Sequence, residues 1–139
     1  MKIIVCADDR LGMMFHKRRL SRDRIVVDRI IELSRETVLW MDPYSESLFS
    51  GMTCDNFRTD SAFLEKAGHG EYCFVENRSL RKYESEMESL IVCYWNRRYP
   101  ADFYLDIPLT EWKEIARNEY PGYSHEKITE ITYINTRGD

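Results

Sequence analysis

Three arginines, Arg18, Arg19 and Arg22, fall within five residues of one another around Ser21, just ahead of an amphipathic segment. Guanidinium groups offer planar, paired donors that match phosphate or carboxylate. The N–H groups left free at a helix start favour an anion in the same place. The chemistry indicated is anion capture near Ser21 to Asp23, with Asp23 in opposition; splayed apart, the same arginines are solvated surface charges. A second set is acidic. Asp8 or Asp9, Asp42 and Glu76 each follow a short apolar run that reads as a strand, and parallel packing gathers such ends at one edge, where oxygen ligands suit Mg²⁺ or Mn²⁺. Acids are also ordinary at strand ends as turn and cap residues, so no metal is expected. A third set, Ser124, His125 and Glu126, has the residue types of a triad. Consecutive strand residues alternate in direction, so these three cannot converge. Cys6, Cys54, Cys73 and Cys93 lack metal-ligand spacing, and three of them lie in apolar runs as small buried hydrophobes.

The elements that position these groups belong to one domain, 1–139, long enough to bury a core. A hydrophobic content of 43% excludes a disordered chain, and no apolar run approaches a membrane span. The run after Met1 is too short for a signal peptide, so a cytoplasmic protein is expected. Residues 10–24 hold six bases against one acid, a local charge of +5 in a chain of net −4. An acidic protein with one basic loop points to a small anionic ligand and away from general nucleic-acid binding.

Ile3 to Ala7 reads as a strand buried on both faces, and Asp8 to Leu20 as a long loop. Ser21 reads as an N-cap with Asp23 in the first turn of a helix over 22–34. Further strands are expected at Thr37 to Met41, Glu71 to Val75, Leu90 to Tyr94 and Ile128 to Ile134. Helical turns are expected at Ser45 to Phe49, from the cap Asp60 through Ala67, and at Leu80 to Met87 as a polar surface helix. Ser50 to Thr59 reads as irregular and Tyr99 to Leu109 as an extended connection. Trp112 to Ala116 fits helix or strand. The alternation predicts a three-layer α/β sandwich, mainly parallel, with helices on both faces and Ile3 to Ala7 inside the sheet.

Several phrases resemble dihydrofolate reductase, shortened and degenerate: IIVCADDRLGM (3–13), LSRD (20–23), TVLWMDPYSESL (37–48), DFYLDIPLTEW (102–112) and the closing SHEKITEITYI (124–134). The resemblance implies a C-terminal antiparallel hairpin, and with it strand for Trp112 to Ala116. It matches Asp23 to the family's active-site carboxylate. It places a ligand pocket at Val5, Ala7, Asp23, Val27 and Cys93, with Cys93 where the family has a threonine. It also implies loss of the cofactor. Glu76-Asn77 stands where the family has a glycine pair, Asp42 where it has the arginine that meets a phosphate of NADPH, and only Ser50 to Thr59 remains of two strands of the adenosine half. No cofactor is expected. The chain is also similar to a group of short bacterial proteins with DDxxGMxF, RRxSRD and SHEKIT phrases, some labelled ribonuclease Z. That enzyme needs an H-x-H-x-D-H site, and His16, His69 and His125 are unpaired.

Three functions follow in order. The first is a non-catalytic relic of the reductase fold that binds a small anion through Val5, Ala7, Arg18, Arg19, Ser21, Arg22, Asp23, Val27 and Cys93. The second is a protein- or RNA-interaction module using the basic loop 17–24. The third is a metal-dependent phosphoesterase.

Overall fold

Short β-branched and apolar runs bounded by Asp, Pro and Gly give short strands, and the computed structural model, which describes residues 1–52 and 54–136, assembles them into a seven-stranded mixed sheet and a small three-stranded antiparallel one. In chain order the elements are β1 (Lys2–Ala7), β2 (Gly12–Phe15), β3 (Arg18–Arg19), α1 (Arg24–Leu33), β4 (Leu39–Met41), β5 (Phe57–Thr59), α2 (Phe63–Lys66), β6 (Tyr72–Phe74), β7 (Ser89–Tyr94), β8 (Phe103–Tyr104), β9 (Trp112–Tyr120) and β10 (Ile128–Asn135). Short 3-10 helices occupy Pro43–Phe49, Arg81–Glu86 and Leu109–Glu111. The smaller sheet runs β3-β2-β8 and the larger one β5-β4-β6-β1-β7-β10-β9. Its first five strands are parallel, and β10 is antiparallel to both neighbours, closing the hairpin. The three-layer α/β architecture and the strand at Trp112 follow the expectation.

β1 lies between β6 and β7, and Ile3, Ile4 and Val5 are wholly buried. Period-two alternation divides it between two cores. Ile3, Val5 and Ala7 pack with Met13, Phe63 and Leu90, whereas Ile4 and Cys6 face the α1 layer, with Val26, Val27 and Ile30. No described helix is long and apolar enough to cross a membrane.

Four local expectations are corrected. The loop expected over Asp8 to Leu20 contains the β2–β3 hairpin, whose Phe15–Arg18 pairing leaves a two-residue turn. His16 and Lys17 both take positive φ, 49° and 64°, the conformation that matches strand twist and that Asn-Gly normally advertises; His-Lys gives no such signal. Asp23, not Ser21, is the N-cap of α1: its carboxylate accepts from the Ile25 N–H, and it precedes the first turn instead of sitting in it. Ser50 to Thr59 is not wholly irregular, because Phe57–Thr59 pairs in parallel with β4 as an edge strand. The segment expected as a surface helix over Leu80 to Met87 is a 3-10 turn, with Leu80, Tyr83 and Met87 buried in the core.

Candidate functional site

The acids at the strand ends serve as internal acceptors. Asp8, wholly buried, takes the N–H groups of Arg10, Gly12 and Tyr99 at 2.9, 2.7 and 3.0 Å. Asp42 accepts from the Tyr44 N–H at 2.8 Å and pairs with Arg78. Glu76 receives Arg19 in two contacts, at 2.8 and 3.0 Å, and the Ser45 hydroxyl at 2.8 Å. No group of three potential ligands capable of holding a metal ion occurs among the described residues. These carboxylates are engaged in turns, caps and ion pairs.

The residues expected to line one pocket are divided between the two layers. Val5 and Ala7 point into the core opposite α1, while Val27 lies on α1 and Cys93 packs in the same layer. A shift of one residue along a strand exchanges its faces, so Cys6 replaces Val5 and Ala7 beside Val27. The cavity at that place, walled by Cys6, Val27, Ile30, Leu48, Phe74 and Trp95, holds about 20 Å³ of free space, room for roughly one water. Arg19 helps to close it, lying over the Tyr44 ring at 4.7 Å and held by Glu76. That hydrogen-bonded pairing raises the Arg19 pKa further. Cys93 stands directly across from Cys6, and contact between the two thiols, with burial, pushes the Cys6 pKa well up.

Asp23 also borders that cavity, but its carboxylate is engaged by the loop between β9 and β10. Its Oδ1 accepts from Ile25 and Tyr123 N–H at 2.9 Å each, and Oδ2 from Ser124 N–H at 2.9 Å and His125 N–H at 3.1 Å. His125 Nδ1 lies 2.9 Å from the same Oδ2. Burial favours the neutral acid, but the bonds from Tyr123, His125, Ser124 and Ile25 outweigh it and hold the carboxyl well below its ordinary range. Both oxygens are therefore spent within the chain. On the far side of the imidazole, Nε2 meets Ser21 Oγ at 3.0 Å and the Tyr99 hydroxyl at 3.2 Å. The Trp95 ring stacks on the imidazole, with centroids 4.6 Å apart and planes 25° from parallel. His125, set aside on the sequence for its neighbours Ser124 and Glu126, thus meets Ser21 and Asp23, about a hundred residues earlier in the chain; the SHEKIT phrase was its only local mark.

A surface groove of about 490 Å³ opens beside Ser21, walled by Phe15, His16, Arg18, Arg19, Leu20, Tyr99 and Pro100. The Phe15 and His16 rings stack at 3.9 Å. The Arg18 side chain is exposed and makes no ion pair among the described residues, and the same holds for Arg22. Of the three arginines, Arg18 enters this groove free, Arg19 is committed to Glu76, and Arg22 lines the closed cavity. A larger groove of about 680 Å³ lies along Trp95 to Arg97 and Glu119 to Pro121. Its Lys127 is paired with Glu119, and Glu126 offsets Arg97, so the groove carries no net positive charge to draw an anion.

Neither a protein-family model nor a curated protein sequence matches this chain. Among solved structures, dihydrofolate reductase from Enterococcus faecalis, complexed with NADP(H) and RAB-propyl, matches 97% of this chain and 95% of its own length, with a TM-score of 0.65 and 11% sequence identity. The fold is dihydrofolate reductase-like. At 11% identity the likeness concerns the fold alone. Within that fold, Asp23 begins the first helix, but its carboxylate caps the helix and anchors the β9–β10 loop.

Proposed function

We propose that this protein binds a small organic anion in the groove beside Ser21, on a shortened reductase-like fold that has given up NADPH and hydride transfer. The observation that carries the reading is the unpaired Arg18 guanidinium in a groove with a stacked aromatic wall. A free guanidinium binds carboxylate or phosphate in two parallel bonds, and the rings supply apolar contact area. The site has moved outward from the expected pocket, whose 20 Å³ cannot admit a ring system. Loss of NADPH is supported by Glu76 and Asp42. Each is a buried carboxylate at a strand end where the resemblance implies a phosphate contact, and each already holds its own arginine. Free thiols at all four cysteines fit a reducing compartment and support a cytosolic setting.

The test is a thermal-shift and calorimetric titration of wild type and Arg18→Ala with benzoate, phenyl phosphate and NADPH. Phenyl phosphate at one hundred times its Kd stabilises the wild type by about 2.7 kcal/mol, and the variant loses most of that gain. Equal stabilisation of both proteins, or micromolar NADPH affinity, refutes the reading.

A further inference from the structure

We propose that Ser21 is a nucleophile activated by His125 and Asp23, and that the anion taken up in the Arg18 groove is an ester which this serine cleaves. The inference rests on the groove reading above and adds a reaction to it.

The three side chains stand as acid, base and nucleophile: Asp23 Oδ2 to His125 Nδ1 at 2.9 Å, then His125 Nε2 to Ser21 Oγ at 3.0 Å. Both spans lie within the reach that a nucleophile–base pair needs. An ionised carboxylate only accepts, so Nδ1 carries a hydrogen toward Asp23 and Nε2 is the ring nitrogen that faces the serine. Orientation is fixed from two sides. Four backbone N–H groups hold Asp23, and Trp95 covers one face of the imidazole. Asp23 and His125 are buried while Ser21 is partly exposed, so the serine is the accessible end of the chain of bonds; it lines the small cavity, which shares Arg19 and Leu20 with the groove.

A purely structural buried Asp–His pair accounts for Asp23 and His125 but not for the second hydroxyl on Nε2. Tyr99 alone, at 3.2 Å, satisfies that nitrogen. Ser21 Oγ is the nearer of the two hydroxyls, and when it becomes acylated Tyr99 still serves Nε2. Leu20 and Tyr99, which flank Ser21 in sequence and through the shared imidazole, both wall the groove that holds Arg18.

The reaction balances with water as the co-reactant. Ser21 Oγ bonds to the ester carbonyl carbon as its proton passes to Nε2. The bond from that carbon to the leaving alcohol oxygen breaks, and the alcohol takes the proton from Nε2. Water then attacks the acyl carbon, giving its proton to Nε2; the carbon–Oγ bond breaks and Oγ recovers the proton, releasing a carboxylic acid. Arg18 selects esters that carry a second, anionic group.

The experiment treats the whole folded protein with a fluorophosphonate probe and maps the adduct by peptide mass spectrometry, alongside hydrolysis of 4-nitrophenyl acetate and mono-4-nitrophenyl succinate. A single adduct on Ser21 is expected in the native wild type, with none in Ser21→Ala or in heat-unfolded wild type. Ester turnover is lost in Ser21→Ala, whose fold is checked by circular dichroism. Arg18→Ala raises KM for the succinate ester about tenfold with little change in kcat, the signature of lost uniform binding. Absence of a Ser21 adduct, or equal turnover by Ser21→Ala, overturns the proposal. If phenyl phosphate still stabilises the wild type through Arg18 in that case, the groove reading survives alone. If Ser21 is labelled but the neutral and anionic esters respond equally to Arg18→Ala, the groove reading fails and the nucleophile stands.

Discussion

Replacing Asp23 by alanine removes one carboxylate and the join between α1 and the β9–β10 loop. Four backbone N–H groups and the His125 ring converge on its two oxygens. Tyr123 and Ser124 are exposed, so their freed N–H groups pass to water at little cost. The loss that remains is an N-cap, about 1 kcal/mol, and a buried charge-assisted contact with His125, about 1.5–3 kcal/mol. A net destabilisation of about 3 kcal/mol is expected at pH 7, a large share of the roughly 5–15 kcal/mol of an ordinary domain. In urea this moves the midpoint by roughly 1–2 M for a slope of about 2 kcal/mol/M. The effect depends on pH with a defined sign. The folded carboxyl is held below its ordinary pKa, so its contribution is complete above the unfolded value of about 3.9 and fades as pH falls through the folded one. The gap between wild type and variant is therefore full at pH 7 and narrows below pH 4. Urea unfolding followed by tryptophan fluorescence at pH 7, 5 and 3.5 measures it. A gap under about 1 kcal/mol at pH 7, or one that widens in acid, refutes the reasoning.

Other outcomes follow from the same contacts. A Cβ at Gly122 would lie 2.7 Å from Asp23 Oδ2 and 2.8 Å from the His125 carbonyl oxygen, so Gly122→Ala is expected to cost about 1–3 kcal/mol in chemical denaturation; a neutral result means the loop is not held as described. Arg19→Met leaves the buried Glu76 carboxylate with Ser45 as its remaining side-chain donor and is expected to cost about 3 kcal/mol. Adding Glu76→Gln recovers part of that loss in a double-mutant cycle, and strict additivity of the two changes contradicts the pairing.

The large features were legible because they depend on local pattern. Four apolar residues in a row placed β1 inside the sheet, and β-branched residues marked β10. Phrases spread along the chain carried the resemblance that pointed to the C-terminal hairpin. The site was less legible. Whether Val5 and Ala7 or Cys6 faces α1 turns on a one-residue register that short apolar strands leave open. Arg19 and Glu76 are 57 residues apart, and His125 and Asp23 are 102 apart; such pairings arise from packing and leave no local spacing. The β2–β3 turn was missed because His16 and Lys17 adopt positive φ without glycine or asparagine. Ser21 and Asp23 were both picked out as helix-start residues, but which of them caps was settled by the loop that wraps onto Asp23.

The address of the ligand is the claim on which the account stands. An amide chemical-shift map recorded while phenyl phosphate is titrated into the labelled protein tests it most directly. Saturable shifts are expected, confined to residues 15–22 and 97–101, with the side-chain Nε–H signal of Arg18 among the largest. Shifts centred on residues 42–46 and 75–78, around Asp42 and Glu76, or no saturable shifts at all, would contradict it.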